Sequence, residues 1–306
     1  MSQPDTPLYP PIAPSGGQLH LRAGADGPPL VAVTLGGGLR EGPGLEGYAE
    51  GELPSGGRGQ VLAPWPNRLR DGHYAWAGVE HQLPLSEPAT STAIHGLVRW
   101  AEWQVTAGPE GTEGRGAVLE HVLAPQPGYP FRLLLVAAYT ALADGFTTTL
   151  SATNLAAVPA PFGAGQHPYL SAGTALVDDA ELTVAAGTVL TTDDRGLPTG
   201  EQSVHGYDGR VGDARLDATY GALARGSDGR ATVVLRGPER TVTLWADEAW
   251  RWLQVFTGDT LAPDRRRRGL AVEPLSCPPD ALASGRDRVV LEPGETWTGQ
   301  WGVTVA

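Results

Sequence analysis

Short segments rich in apolar and β-branched residues, separated by turn residues, follow one another along most of this chain. Such segments of four to ten residues, bounded by glycine, proline or aspartate, are typical of β-strands. The clearest are these: Phe131 to Tyr139, Phe146 to Thr153, Thr232 to Arg236, Thr241 to Trp245 and Thr296 to Val305. No segment shows a sustained helical period with capping residues, so the pattern predicts an all-β protein.

Two further segments sharpen this prediction. Residues His73 to Leu85 predict a hairpin that turns at Ala77-Gly78. Residues Trp250 to Thr257 predict a strand, and the two-residue period places its aromatic side chains on one face. These side chains are Trp250, Trp252 and Phe256.

Neither an internal repeat nor a linker long enough to separate domains interrupts the strand pattern. We therefore expect residues 1–306 to form one large antiparallel β-sandwich domain. Ala107 to Gly116 and Asp264 to Gly269, the latter with four consecutive arginines, are predicted to be exposed loops.

The composition of the chain limits the kinds of binding partner that we expect. The 42 glycines and 27 prolines agree with many turns, and 41% hydrophobic residues in 306 are enough for a large core. The formal net charge of -12 disfavours nucleic acids and anionic membranes, because both require a basic surface. A small neutral substrate is compatible with this charge.

Missing residue types exclude several chemistries. The chain has no lysine, which rules out Schiff-base catalysis and a Walker A phosphate loop. Cys277 is the only cysteine, so neither an intrachain disulfide nor a cysteine metal cluster can form. The start, Met1 to Asp5, does not have the form of a signal peptide, and no apolar run is long enough to span a bilayer. We expect a cytoplasmic protein.

Two ionisable residues directly precede prolines in informative contexts. Proline biases His167 toward an extended backbone, and histidine titrates near neutral pH. Glu273 follows three apolar residues, so partial desolvation would raise its pKa and make it a better base. Taken alone, His167 could equally be structural, and Glu273 could equally end a strand in a salt bridge.

Other polar residues have functional and structural interpretations. Asn67-Arg68 suits a ligand with many hydroxyl groups, but it could also stabilise a turn. His95, before Gly96, could line a site or be a satisfied core histidine, and Asp217 could accept sugar hydroxyls or form an Asx turn. The spacing of the histidines does not support a metal site. A glycosidase using Asp217 and Glu273 is a distant alternative.

Taken together and in order, these segments resemble the aldose 1-epimerase (galactose mutarotase) family, over nearly the whole chain. The segments that carry the resemblance are Pro64 to Arg68, Ile94 to Leu97, Gly165 to Tyr169, Leu216-Asp217, Leu253 to Gly258 and Val272 to Pro274. The resemblance implies a large β-sandwich that interconverts the anomers of a free aldohexose such as glucose or galactose, without cofactor or metal.

The resemblance also implies residue roles. His167 would protonate the ring oxygen as the general acid, and Glu273 would deprotonate the anomeric hydroxyl as the general base. Four further side chains would hold the sugar, with Asn67 as an additional contact. These four are Arg68, His95, Asp217 and Gln254. The expected partner is a monosaccharide, and the pattern predicts no particular oligomeric state.

The chain departs from the animal members of the family at Pro168-Tyr169-Leu170, and Ser276 to Asp280 resembles a bacterial subgroup. Members of that subgroup can favour sugars other than galactose. A phosphorylated or sulfonated hexose therefore stays open as the substrate, with Arg265 to Arg268 as one conceivable anion contact. A sugar-binding protein without turnover also stays open.

Overall fold

A computed structural model describes residues 19–21, 31–33, 39–41, 56–107, 116–142 and 144–306. The start of the chain at Met1 to Asp5 and the interior of the loop predicted at Ala107 to Gly116 lie outside these residues. No helix in the described ranges is long and apolar enough to cross a membrane.

β-Strands are the predominant secondary structure of the described residues. The first thirteen are β1 (Leu19–Leu21), β2 (Val31–Val33), β3 (Leu39–Glu41), β4 (Val61–Leu62), β5 (Arg68–Arg70), β6 (His73–Trp76), β7 (Val79–Gln82), β8 (Thr92–Ile94), β9 (Gln104–Ala107), β10 (Gly116–Leu123), β11 (Leu133–Leu142), β12 (Gly145–Asn154) and β13 (Ala160–Phe162). The remainder are β14 (Gly165–Gln166), β15 (Tyr169–Leu170), β16 (Glu181–Val184), β17 (Ala186–Thr192), β18 (Pro198–Ser203), β19 (Tyr207–Arg210), β20 (Asp217–Leu223), β21 (Ala231–Arg236), β22 (Thr241–Ala246), β23 (Trp252–Phe256), β24 (Leu270–Leu275), β25 (Val289–Leu291) and β26 (Thr296–Val305).

Helical structure is confined to single turns. Two 3-10 turns, Pro88–Thr90 and Val177–Asp179, and one α-helical turn, α1 (Ala281–Ser284), occur in the described ranges. The all-β prediction is confirmed, and so is the hairpin at Ala77-Gly78, which joins β6 to β7.

Two large antiparallel sheets dominate the architecture. One has nine strands in the order β19-β16-β21-β22-β26-β12-β11-β10-β9. The other has eight, in the order β18-β17-β20-β23-β24-β14-β4, with β15 also paired to β24. Smaller sheets pair β1-β2-β3, β13-β25, β5-β8 and β6-β7.

The two large sheets enclose a common core, as in a β-sandwich. Leu135 and Tyr139 of β11, from the nine-stranded sheet, share one buried cluster with Val255 of β23 and Val272 of β24. Side chains that alternate between the two faces of each strand produce this core. In β12, for example, every second residue from Phe146 to Asn154 is buried. The antiparallel sandwich predicted from the strand pattern is confirmed.

One detail of the prediction is wrong. Trp250 does not share a face with Trp252 and Phe256, because the strand begins at Trp252. Trp250 lies before it and belongs to the main core, where its ring contacts that of Trp297 at a centroid distance of 5.1 Å. Trp252 instead packs in a small separate cluster with Leu275.

Candidate active site

The eight-stranded sheet has one face turned away from the main core, and polar side chains line up across it. On β23, Leu253 and Val255 enter the core, so Gln254 points to the opposite face. On β24 the same alternation buries Val272 in the core and places Glu273 on that face. The strand pairing sets Gln254 directly opposite Glu273.

The strand register extends this row in both directions. On one side, Thr219 of β20 pairs with Gln254. On the other, β14 pairs Gly165 with Leu275, and β15 pairs Tyr169 with Ala271. The same register, continued between these pairs, places His167 opposite Glu273. Thr219, Gln254, Glu273 and His167 therefore lie side by side, at the spacing of neighbouring strands.

The backbone of His167 is fixed by a neighbouring loop. Its N–H donates to the Gln60 carbonyl (3.1 Å), and its carbonyl accepts from the Gly59 N–H (2.7 Å). Gly57 lies against the imidazole ring: a β-carbon there would fall 2.5 Å from His167 Cδ2, and its φ is +73°. Only glycine satisfies both conditions without displacing the ring.

The second histidine of the site, His95, is positioned by two residues whose backbones are in the left-handed region. Asn67 (φ 54°) and His95 (φ 62°) flank the paired strands β5 and β8. The His95 N–H donates to the Asn67 carbonyl (3.0 Å), and the Asn67 N–H donates to His95 Nδ1 (3.2 Å). This assigns Nδ1 as an acceptor, so a proton on the neutral ring resides on Nε2. The rings of His95 and His167 meet edge to face, with centroids 5.3 Å apart.

Arg68 is held in place by a carboxylate that the sequence analysis did not select. Its Nε donates to Glu87 Oε2 (2.6 Å), and its Nη2 donates to Glu87 Oε1 (3.0 Å). Thr90 and Thr92 also donate to Glu87, at 2.5 and 2.8 Å. Because both carboxylate oxygens are engaged, the guanidinium has one orientation.

His167 and Glu273 form a buried acid-base pair. His167 Nε2 lies 3.2 Å from Glu273 Oε1, and the two side chains are 5% and 3% exposed. Burial, together with the charges of Arg99 and Arg58, lowers the pKa of His167 to about 3. Burial raises the pKa of Glu273 well above its ordinary value; Asp217 reinforces this shift and Arg68 opposes it. Both shifts favour the same state, in which the proton lies on Glu273 and the imidazole of His167 is neutral.

Asp217 and Gln254 complete the polar wall. Gln254 Nε2 donates to Asp217 Oδ1, and Thr219 Oγ1 donates to Gln254 Oε1, both at 2.5 Å. Asp217 meets solvent within the cleft, although the protein around it desolvates the carboxylate and raises its pKa. A carboxylate in this setting is available to accept hydrogen bonds from ligand hydroxyl groups.

All seven residues selected from the sequence line one cleft of about 410 Å³, a size typical of small-molecule sites. They are Asn67, Arg68, His95, His167, Asp217, Gln254 and Glu273. The structure therefore brings every candidate together, while their roles stay predictions.

Several other residues line the same cleft and were missed from the sequence. They include Gly57, Ser86, Glu87, Arg99, Trp100 and Phe256. A signal existed for Glu87, which precedes a proline as Glu273 does, but its polar surroundings indicated a turn. The predicted anion contact at Arg265 to Arg268 does not line the cleft; Arg267 instead pairs with Asp178 and Asp259.

His95, His167 and Glu273 also place possible metal-ligand atoms within 4.8 Å of one another, a proximity that the spacing along the chain did not predict. Two histidines and a carboxylate are a common donor set for transition metals. The surrounding charges oppose a cation, because guanidinium groups of Arg68 and Arg99 act on these histidines. Metal-free chemistry stays our expectation.

Comparison with known proteins identifies the family. Residues 42–304 match the family model of aldose 1-epimerase, so the chain belongs to the aldose 1-epimerase family. A curated relative, the uncharacterized protein YihR of Escherichia coli K12, is 34% identical over 253 residues, which cover 80% of this chain and 78% of YihR.

Solved structures share the fold at low sequence identity. The GalM/aldose epimerase homologue from C. elegans has a TM-score of 0.82 at 15% identity, covering 95% of this chain and 99% of its own. The galactose 1-epimerase from Lactobacillus acidophilus NCFM has a TM-score of 0.76 at 17% identity, covering 95% and 98%. The resemblance to this family that the sequence motifs indicated is confirmed.

Proposed function

We propose that the protein is a cytoplasmic aldose 1-epimerase that interconverts the α and β anomers of a free aldohexose such as glucose or galactose. The observation that carries this proposal is the contact between His167 and Glu273, two buried groups 3.2 Å apart with pKa values shifted in opposite directions. Their juxtaposition supplies both a donor and an acceptor of protons in one cleft.

The reaction needs one proton to leave and one to arrive. Transfer of the proton from Glu273 to His167 creates a carboxylate and an imidazolium. The carboxylate removes the proton of the anomeric hydroxyl while the imidazolium protonates the ring oxygen, and the bond from carbon 1 to that oxygen breaks. Because the two transfers balance, no free alkoxide forms.

Ring closure on the other face completes the exchange of anomers. The open aldehyde rotates about the bond between carbons 1 and 2, and the hydroxyl that came from the ring oxygen then attacks the aldehyde carbon. His167 removes the proton of that hydroxyl, and Glu273 protonates the aldehyde oxygen. Return of the proton from the imidazolium to the carboxylate then restores the starting state. Arg68, Asp217 and Gln254 hold the other hydroxyl groups, and this orients the sugar between the pair.

Polarimetry of freshly dissolved α-glucose and α-galactose tests the proposal. The protein should accelerate the relaxation of optical rotation beyond the rate in buffer. His167→Ala and Glu273→Gln should each lose about 100-fold or more of this activity, since a positioned acid or base contributes roughly 10²–10⁴-fold. His205→Ala and Glu248→Gln, at exposed positions, serve as matched controls.

The outcomes separate the alternatives. If no aldose relaxes faster with protein than in buffer, the proposed activity is wrong, and calorimetric sugar binding without turnover would indicate a sugar-binding protein. Full activity in His167→Ala or in Glu273→Gln would remove that residue from its role. Folding of each variant is checked by circular dichroism.

One observation favours a second candidate substrate, an aldose that carries an anionic group. Arg99 lines the cleft, and its guanidinium makes no hydrogen bond or ion pair with any described residue; it lies 5.5 Å from the Trp100 ring centroid. An unpaired guanidinium suits a phosphate or sulfonate on the sugar. Glucose 6-phosphate should then be a better substrate than glucose, and Arg99→Met should abolish the preference.

A further inference from the structure

One tryptophan of this chain is exposed, and its ring lies in the active-site cleft. All nine tryptophans belong to the described residues, and eight of them are buried or half-buried. Trp100 is 55% exposed and lines the cleft that contains His167 and Glu273. A ligand that covered the indole would remove a large apolar surface from water, which favours binding.

The backbone that carries Trp100 is tied to the backbone of the acid-base histidine. The turn containing Trp100 closes at Ala101, whose N–H donates to the carbonyl three residues earlier (3.1 Å). The Gln60 side chain donates from Nε2 to the Arg99 carbonyl (2.8 Å), and the Gln60 carbonyl accepts from the His167 N–H (3.1 Å). Because Gln60 is fully buried, it fixes the turn beside the acid-base pair.

The indole of Trp100 is available to a ligand. No described aromatic ring packs against it, and the guanidinium of Arg99 is 5.5 Å from the ring centroid. The indole N–H makes no hydrogen bond with a described residue, so it can donate to a ligand hydroxyl group.

The cleft combines this indole with other apolar side chains and with the polar wall. The apolar side chains are Ile94, Phe256 and Leu261. A pyranose has the same two kinds of surface, with hydroxyl groups around its edge and C–H groups on its faces. The C–H face of a pyranose fits a flat aromatic ring, whereas an open-chain polyol has no such face.

We propose that Trp100 is a stacking platform for the sugar. The C–H face of the pyranose lies on the indole, while the hydroxyl groups reach Arg68, Asp217 and Gln254. The inference rests on the proposed function, because it concerns the aldose whose carbon 1 meets the acid-base pair. The stack holds the ring both before and during the proton transfers, so it contributes to binding and not to chemistry.

The kinetics of α-glucose mutarotation test the platform. Trp100→Ala should raise KM about tenfold and change kcat less than about threefold, since it removes binding that is equal in the ground and transition states. Trp100→Phe keeps an aromatic face and should hold KM within about threefold of the original value. Val79→Ala, at an equally exposed position outside the cleft, is the control. An unchanged KM in Trp100→Ala, or an equal rise in both variants at Trp100, would overturn the platform.

Acrylamide quenching of tryptophan fluorescence tests the stack without turnover. Acrylamide should quench Trp100 preferentially, because the other eight tryptophans are shielded. We expect 1,5-anhydroglucitol, a pyranose that cannot open, to reduce this quenching in the original protein and to have no effect in Trp100→Phe. Glucitol, the open-chain polyol, should not reduce it at the same concentration. Protection by both compounds, or by neither, would overturn the platform.

The two measurements separate this inference from the proposed function. If no aldose is turned over but 1,5-anhydroglucitol protects Trp100, the proposed function fails and the platform stands. If glucose is turned over and 1,5-anhydroglucitol gives no protection, the function stands and the platform is wrong.

Discussion

Glu273 lies on a strand in which every residue is buried. Its ionisable partner is the imidazole of His167, which burial keeps neutral. A carboxylate in such a place is costly unless it is paired. Its Oε2 atom is buried and has no hydrogen-bond partner among the described residues. The anomeric hydroxyl of a bound aldose would donate a hydrogen bond to Oε2. The reaction that we propose therefore explains why a buried carboxylate oxygen has no partner in the protein.

The pH profile should reflect a pair and not a free histidine. Above the raised pKa of Glu273 the pair loses the proton that it transfers to the sugar, so the rate falls. Below the lowered pKa of His167, at about 3, it gains a second proton and has no base. The logarithm of kcat/KM, measured by polarimetry from pH 4 to 9 and corrected for buffer catalysis, should therefore show no acid limb near 6.5. A limb at 6.5 would mean that His167 titrates as an ordinary exposed histidine.

The selection of residues from the sequence depended on local chemistry. A histidine or glutamate before a proline, or an asparagine beside an arginine, is visible within a few letters. Gln254 came only from the family resemblance, and all seven candidates lie in the cleft. Glu87 and Arg99 escaped because their contributions depend on neighbours distant in the chain. Glu87 acts through Arg68, which is 19 residues away. Arg99 matters because it lines the cleft and its guanidinium forms no ion pair with a carboxylate of the described residues.

Among the structural elements, the short pair β5-β8 and the 3-10 turn at Pro88–Thr90 act together as a support for Arg68. The strand pair fixes its backbone, and the turn carries the threonines that orient Glu87. Arg68 also interacts electrostatically with Asp217 and Glu273. Glu87 therefore prevents the guanidinium from turning toward the carboxylates that the sugar and the acid-base pair require.

Glu87→Gln should weaken sugar binding more than chemistry. The charge-assisted pair with Arg68 is lost, and a contact of this kind contributes about 1.5–3 kcal/mol. We expect KM to rise about tenfold while kcat changes less than about threefold, since the proton-transfer pair is intact. Glu80→Gln, which alters only an exposed contact with His73, is the matched control. An unchanged KM would show that Arg68 keeps its orientation without Glu87.

Strands and hairpins could be predicted correctly where a turn signal separated two strand patterns, as at Ala77-Gly78 between β6 and β7. The error at Trp250 has a physical cause. A two-residue period holds only within a continuous strand, and the backbone before Trp252 leaves the sheet in a turn from Asp247 to Trp250. Nothing in the local pattern separates an aromatic residue in such a turn from one in the strand.

For the whole molecule, the turn-rich pattern was enough to predict an antiparallel sandwich, but not which strands would be neighbours. Strand order depends on contacts such as β12 with β26, which pairs Thr148 with Trp301. The row that brings His167 to Glu273 is a product of this order, because β24 returns to pair with β14 and β15 only after the chain has passed through strands of both sheets. The residue types and their neighbours in the sequence identified His167 and Glu273 as candidates. Their contact depends on the strand order of the folded protein.

A buried polar bridge links the two sheets directly behind the site. Gln166, next to His167 in the eight-stranded sheet, donates from Nε2 to the Tyr139 hydroxyl (2.7 Å) and accepts from Trp301 Nε1 (2.7 Å). Both partners belong to strands of the nine-stranded sheet. Since Gln166 is fully buried, losing either bond leaves an unsatisfied polar atom in the core.

Tyr139→Phe should therefore destabilise the protein by about 1–3 kcal/mol, the cost of leaving a buried donor unpaired. Urea denaturation followed by tryptophan fluorescence measures this change as a lower midpoint at constant slope. Tyr207→Phe is the control, because the Tyr207 hydroxyl makes an exposed bond to the Arg210 carbonyl, and its loss should cost less than about 0.5 kcal/mol. Because Gln166 directly precedes His167 in the chain, kcat for aldose mutarotation should decline in Tyr139→Phe while KM holds. Unchanged stability in Tyr139→Phe would mean that Gln166 finds another acceptor and that the bridge does not couple the sheets.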